Sequence, residues 1–235
     1  MPAESILLAD EDVNILEVER LYLEREGFRV FSVKAGFDAL NSARTIHPNL
    51  IILAMELPGL GGFEVCSRLR RDNDQVPIIA VFADESTLLS SSGIGLEADD
   101  FLAKPFLPRE LVARVRMLLH PQKPKIAQRE STLEFRSLKI DLAKGRFSIH
   151  DREIPLQKLD FELMTCLMGE AGRTVTRDRL MDSAWGEPDL HQTAGIVLHM
   201  SRLQYLLAGS GVKITADPQG GLRLAAQDLP QEGTA

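Results

Sequence analysis

The sequence predicts an α/β doubly wound five-stranded parallel sheet followed by a winged helix-turn-helix, and three observations predict it. Over the first half of the 235 residues, five short apolar runs alternate with segments of helical periodicity, the signature of repeated β/α units. The third run, Leu50-Ile51-Ile52-Leu53, is unbroken and stops before a Leu57-Pro58-Gly59 turn, as expected of a strand covered on both faces. After a break containing Pro121 and Pro124, the pattern changes to short strands, three helices and a closing pair of strands.

The expected elements run in order as follows. Strands are predicted at Ile6–Ala9, Val30–Val33, Leu50–Leu53, Ile78–Phe82 and Asp100–Ala103. Helices are predicted at Val13–Glu26, Gly36–Ile46, Gly62–Arg71, about Thr87–Leu96, and Pro108–Leu119, where Leu111, Val115 and Leu118 share one face. The fourth helix is the weakest, because the stretch Ser86–Gly95 holds four serines and two glycines, poor helix formers. The second half gives short strands between Leu133 and Leu156 with a turn at Lys144-Gly145. Helices follow at Lys158–Met168, Arg177–Trp185 (N-capped by Thr176) and Thr193–Leu207. Val212–Thr215 and Gly221–Leu224 form a hairpin around Asp217-Pro218-Gln219-Gly220. The domain division is 1–120, a linker 121–132, an output domain 133–225 and a tail 226–235.

Composition is that of an ordinary globular chain, at 44% hydrophobic and 26% charged. No apolar run reaches the ~20 residues of a membrane span, and the start lacks a basic leader, so a cytoplasmic location is expected. Cys66 and Cys166 lie within apolar helical segments and read as buried free thiols. Residues 1–124 hold 13 Lys+Arg against 19 Asp+Glu, a net −6, and residues 125–235 hold 14 against 15, a net −1. A DNA-binding second half is therefore not carried by bulk positive charge.

Candidate chemistry gathers at the carboxyl edge of the sheet, where open α/β folds place their sites. The first strand ends in Asp10-Glu11-Asp12, and the last is followed by Lys104-Pro105-Phe106. Two carboxylates can contribute to a Mg²⁺ site, and a lysine can neutralise a phosphoryl group. The segments Ile6–Asp12, Leu57-Pro58-Gly59, Ala98–Phe106 and Arg109–Arg114 resemble those of response regulators of the OmpR/PhoB type, a receiver domain joined to a winged helix. That resemblance implies Asp10 and Glu11 at the metal position, there to hold a weakly bound Mg²⁺, with no other cofactor and no enzyme activity. It implies Lys104 as the site lysine and Phe101 as the switch aromatic.

The same resemblance puts Ala54 at the phosphoacceptor position and Phe82 where a serine or threonine would read the phosphoryl group. Both functions are lost, so the receiver is expected to be a phosphorylation-independent pseudo-receiver, and Phe82 to crowd the space into which Phe101 would rotate. With Glu97 in place of the usual glycine, this argues for natural degeneration over an engineered alanine. Glu56 projects to the same side as position 54; it is read as a solvated loop residue, with mimicry of the missing charge as the alternative.

Family receivers dimerise through the fourth helix, fifth strand and fifth helix, using charge pairs across a two-fold axis. The resemblance implies that Asp100 and Arg114 keep one pair. Ser90 and Gly95 leave Glu110 and Arg116 without their usual partners. A homodimer through this face is weakened rather than excluded.

In the output domain, Leu156–Met164, Leu180–Gly186 and Leu198–Leu203 resemble the family's first, second and recognition helices. The reading surface is sparse. His191–Leu207 offers one arginine and no lysine, Ala194 and Gly195 open the helix, and Gln204 replaces an arginine. The candidate DNA contacts are Arg177, Arg179, His199, Ser201, Arg202 and Arg223, with Lys213 beside them. Three or four phosphate contacts, against 6–10 in a strong binder, predict weak, salt-sensitive DNA binding. The resulting expectation is a phosphorylation-independent transcriptional regulator. The alternative is a protein-interaction adaptor or antagonist whose winged helix has lost DNA and contacts a regulatory protein or polymerase subunit.

Overall fold

The computed structural model describes residues 3–72, 74–91, 97–120, 132–185, 194–217 and 220–227. The chain forms two compact units, residues 1–122 together with 190–198, and residues 123–189 together with 199–235.

In the first unit, strands β1 (Ser5–Ala9), β2 (Arg29–Val33), β3 (Leu50–Ala54), β4 (Ile78–Phe82) and β5 (Asp100–Ala103) form one parallel sheet in the order β2-β1-β3-β4-β5. Alternating side chains on these strands feed two cores. Ile6, Leu8, Ile52, Ile79, Val81 and Leu102 face helices α1 (Val13–Arg25) and α5 (Pro108–Leu119). Leu7, Leu53, Ile78, Ala80, Phe82 and Phe101 face α2 (Gly36–Ile46), α3 (Gly62–Arg71) and α4 (Glu85–Ser90). This is the doubly wound arrangement the apolar runs predict, and each of the five strands lies within a residue of its expected position.

The fourth helix is the element that differs. It is short and begins under an Asp84 cap, whose carboxylate accepts the Thr87 N–H at 2.7 Å. Of its expected span, residues 92–96 lie outside the described residues. The entrance to β4 is tied down by Arg70. Its guanidinium donates to the carbonyls of Asp74, Val76 and Glu97 and pairs with Asp99 at 3.0 Å.

In the second unit, β6 (Thr132–Phe135), β7 (Leu138–Asp141), β8 (Arg146–Ile149) and β9 (Arg152–Ile154) make an antiparallel meander, the short strands expected before Leu156. Gly145, at φ 64°, supplies the left-handed residue of its central turn. Helices α6 (Lys158–Gly169), α7 (Arg177–Trp185) and α8 (Ala194–Leu206) follow. They are followed by the hairpin β10 (Val212–Ala216) and β11 (Leu222–Ala226). A Val175–Leu222 bridge attaches the hairpin to the segment before α7. The Thr176 hydroxyl accepts the Arg179 N–H at 3.3 Å, as the capping pattern predicts. β11 extends to Ala226, one residue into the stretch read as tail, and β6 starts at Thr132, the last residue read as linker. The linker residues 121–131, His191, Thr193, and residues 228–235 lie outside the described residues.

Candidate functional site

The strand register brings the sequence-predicted edge residues together. Ala9 pairs with Leu53 across β1 and β3, so the next residues, Asp10 and Ala54, end adjacent strands side by side. Ala54 pairs with Val81, and Phe82 pairs with Ala103, which puts Lys104 one step beyond. Backbone bonds from Met55 to Val81 and from Lys104 to Phe82 continue the ladders into these loops. Gly62 keeps the loop after β3 tight, since a Cβ there would stand 2.4 Å from the Ala54 carbonyl oxygen. The Lys104–Pro105 peptide is cis.

Asp10 is the hub. Its Oδ2 accepts a charge-assisted bond from Lys104 Nζ at 2.5 Å, and its Oδ1 accepts the Asp12 N–H at 2.9 Å. Asp12 in turn caps α1 by accepting the Asn14 N–H. Glu11 and Glu56 point to solvent, with no hydrogen bond or ion pair among the described residues. Ala54 is 2% exposed and offers only a methyl. Phe82 and Phe101 are both buried in the core on the α2–α4 side of the sheet.

These residues do not fit a Mg²⁺ centre as they stand. A divalent cation needs several oxygen ligands. Here the ammonium of Lys104 occupies Asp10, Glu11 is in solvent and position 54 has no oxygen. Among the described residues, no group of three His, Cys, Asp or Glu could hold a metal.

Sequence reasoning missed Glu19. It stands on the buried stripe of α1 between Leu16 and Leu23, 4% exposed. Burial, reinforced by the charge of Asp10, pushes its carboxyl from 4.5 up to about 8, against the opposing pull of Lys104. Its Oε1 makes no hydrogen bond, so the neutral acid is the form this interior tolerates. The signal was its three-residue spacing from Leu16 on an otherwise apolar face.

The dimer-face charges form their bonds within one chain. Arg114 Nη1 reaches both Asp100 oxygens at 2.8 Å, and its Nη2 reaches Glu110 at 2.8 Å. Burial opposes the charge on Arg114, and the adjacent Asp100 and Glu110 outweigh it and raise the guanidinium's pKa. Arg116 pairs with Glu26. Glu110 and Arg116, expected to lack partners, therefore find them in cis. Gly95 lies outside the described residues.

In the output unit the structure separates the expected DNA contacts into two groups. His199 is fully buried, with Nδ1 2.7 Å from one oxygen of Asp160, while Arg202 holds the other oxygen at 2.9 Å. Trp185 packs edge-on to the His199 ring at 6.0 Å. Burial alone would raise the Asp160 carboxyl. The bond and charge of His199 and the Arg202 guanidinium outweigh it and hold the group below the usual carboxylate range. His199 and Arg202 thus depart from the expected contact set: they brace α8 against α6 rather than facing solvent. Gln204 is likewise turned inward, accepting the Ile214 N–H at 2.7 Å.

The solvent-facing positions are Arg177, Arg179, Lys213 and Arg223, with Ser201 partly exposed. Arg179 is paired with Glu170 at 2.7 Å. The most exposed side chains of α8, Val197 and Tyr205, lie on one stripe with Ser201 and carry no charge. Cys66 and Cys166 are buried free thiols, as read; burial pushes Cys66 up to about 12 and raises Cys166 as well.

Comparison with known proteins agrees with this architecture. Residues 6–116 match the response regulator receiver domain, and residues 151–223 match the C-terminal domain of transcriptional regulatory proteins. The chain is 32% identical over 216 residues to the DNA-binding response regulator MtrA of Mycobacterium tuberculosis, covering 92% of this chain and 90% of that protein. It is 32% identical over 212 residues to the alkaline phosphatase synthesis transcriptional regulatory protein SphR of Synechococcus elongatus, covering 86% and 82%. The solved structure of a RitR mutant shares the fold, with a TM-score of 0.62 at 23% identity over 95% of this chain and all of that one. No helix among the described residues is long and apolar enough to cross a membrane. With a receiver sheet, a winged-helix output unit and near full-length relatives of the same build, the chain belongs to the OmpR/PhoB-type response regulators.

Proposed function

We propose that this response regulator works in the cytoplasm without phosphorylation, as a transcriptional regulator whose winged helix binds DNA weakly. The observation that carries the reading is Ala54, a buried methyl at the end of β3, level with Asp10. An acyl phosphate needs a carboxylate there, and the chain has none to offer. The Lys104–Asp10 bond and the two buried phenylalanines support a receiver held in one state, since a switch requires two arrangements of comparable stability. Control then lies with the amount of the protein or with a partner, and a homodimer through α4, β5 and α5 would have to exchange the internal Arg114 pairs. The similarity to the DNA-binding response regulator MtrA supports DNA as the target. Arg177, Lys213 and Arg223, with Arg179 and Ser201 as weaker additions, are the contact set.

A second reading, an adaptor that meets a protein instead of DNA, is favoured by the uncharged Val197–Ser201–Tyr205 stripe. The test is to incubate the full chain with acetyl phosphate and Mg²⁺, then measure intact mass and affinity for its own upstream DNA. An unchanged mass with unchanged, measurable affinity is expected. Phosphoryl uptake that raises affinity would overturn the reading.

A further inference from the structure

Phe37 and Phe63, each the second residue of its helix, are 52% and 45% exposed. Their helices, α2 and α3, pack together and both start at the sheet edge that holds Asp10 and Lys104. Gly59 and Leu60 lie in the loop that leads from β3 into α3, the helix that carries Phe63. The Phe37 ring lies against Gly59, where an added Cβ would stand 3.4 Å from it. The start of α2 is pressed so close to Leu60 that a Cβ on Gly36 would fall 1.7 Å from the Leu60 carbonyl oxygen. Exposed aromatic rings gathered at one edge, in a unit that buries Phe82 and Phe101, mark a contact surface.

The charge at this edge states what the surface would accept. Exposed Glu11, Asp12, Asp38, Glu56, Asp84 and Glu85 outnumber exposed Lys34 and Arg109. Asp12 and Asp84 are engaged as helix caps, whereas Glu11 and Glu56 make no hydrogen bond or ion pair among the described residues. We propose that the Phe37–Phe63 edge docks a segment of a partner protein in which arginine or lysine alternates with large apolar side chains. The rings supply apolar anchors and the carboxylates select and orient the cations. A second copy of this chain is disfavoured, because it would bring the same excess of acids against itself. The inference rests on the reading that control passes through something other than a phosphoryl group, and it names what that control touches.

The test pans the full chain against a phage-displayed random dodecapeptide library and measures the enriched peptides against variants. Peptides pairing Arg or Lys with aromatic or branched aliphatic residues are expected. Their affinity should fall roughly tenfold in Phe37→Ser or Phe63→Ser, and similarly in Glu56→Lys. Leu21→Ser, an exposed side chain near the carboxyl end of α1, should leave it unchanged. Because both rings are exposed, an unaltered thermal melt separates lost binding from lost folding. No enrichment, enriched peptides without cations, binding indifferent to both rings, or self-association that depends on them would each overturn the proposal. The acetyl phosphate experiment, run on the same protein, fails independently: a chain indifferent to phosphoryl donor that docks no peptide keeps the functional reading and loses only this surface.

Discussion

The Nζ of Lys104 lies 2.5 Å from Oδ2 of Asp10, so the lysine at the edge that would receive a phosphoryl group is already engaged within the chain. Beside this pair stands Ala54. Restoring a carboxylate with Ala54→Asp gives Lys104 a second acidic neighbour and supplies the missing acceptor. Phosphoryl uptake from acetyl phosphate, read by intact mass, should return. DNA affinity should stay within about twofold, because Phe82 has no hydroxyl to read the modification; a rise on the order of tenfold would show that the switch is intact.

Glu19 makes stability depend on pH. Its folded pKa, about 8, lies above the ordinary 4.5, so the native state binds a proton that the unfolded state releases. The stability it allows is fully present below pH 4.5 and is lost as pH rises through 8. Glu19→Gln, neutral at every pH, should flatten this part of the profile and be more stable than the parent at pH 8, by on the order of a few kcal/mol. Chemical denaturation from pH 5 to 9 measures it; identical profiles for the two proteins would remove the buried-acid account.

Asp160 joins α6 to both His199 and Arg202. Asp160→Ala removes the buried carboxylate that both His199 and Arg202 bond, and should cost about 3–5 kcal/mol in denaturant unfolding. The sign with pH is opposite to that of Glu19. The Asp160 carboxyl is held below its ordinary 3.8, so its contribution is present above that pH and is lost as pH falls below it. A variant as stable as the parent would mean that the network contributes nothing net.

Gly62 tests the close approach behind the site. Gly62→Ala puts a methyl 2.4 Å from the Ala54 carbonyl oxygen and 2.8 Å from the Met55 Cα, both backbone atoms. The loop must shift, and a melting temperature lower by several degrees is expected, on the order of 1–3 kcal/mol of destabilisation. An unchanged melt would show that the loop after β3 is free to move.

The sheet was legible because burial on both faces writes uninterrupted apolar runs such as Leu50–Leu53, and the Leu57-Pro58-Gly59 turn marks their carboxyl edge. The meeting of Asp10, Ala54 and Lys104 followed from strand order alone. What stayed hidden depends on which helix face looks inward. Glu19 is charged and reads as surface until the Leu16–Leu23 stripe is seen to include it. His199 and Arg202 carry the residue types of DNA contacts, yet Asp160, 39 residues earlier than His199, turns them to the interior. Arg114, a dimer-face charge by its position, pairs with Asp100 and Glu110 of its own chain, which strand order alone does not reveal.

The most direct measurement is the affinity of the unmodified protein for its own upstream region and for random duplex across a salt series. With Arg177, Lys213 and Arg223 as the proposed phosphate contacts, sequence-preferring binding with a log–log slope of about −3 is expected. Binding absent even at low salt would contradict the account and leave the winged helix as a surface for protein.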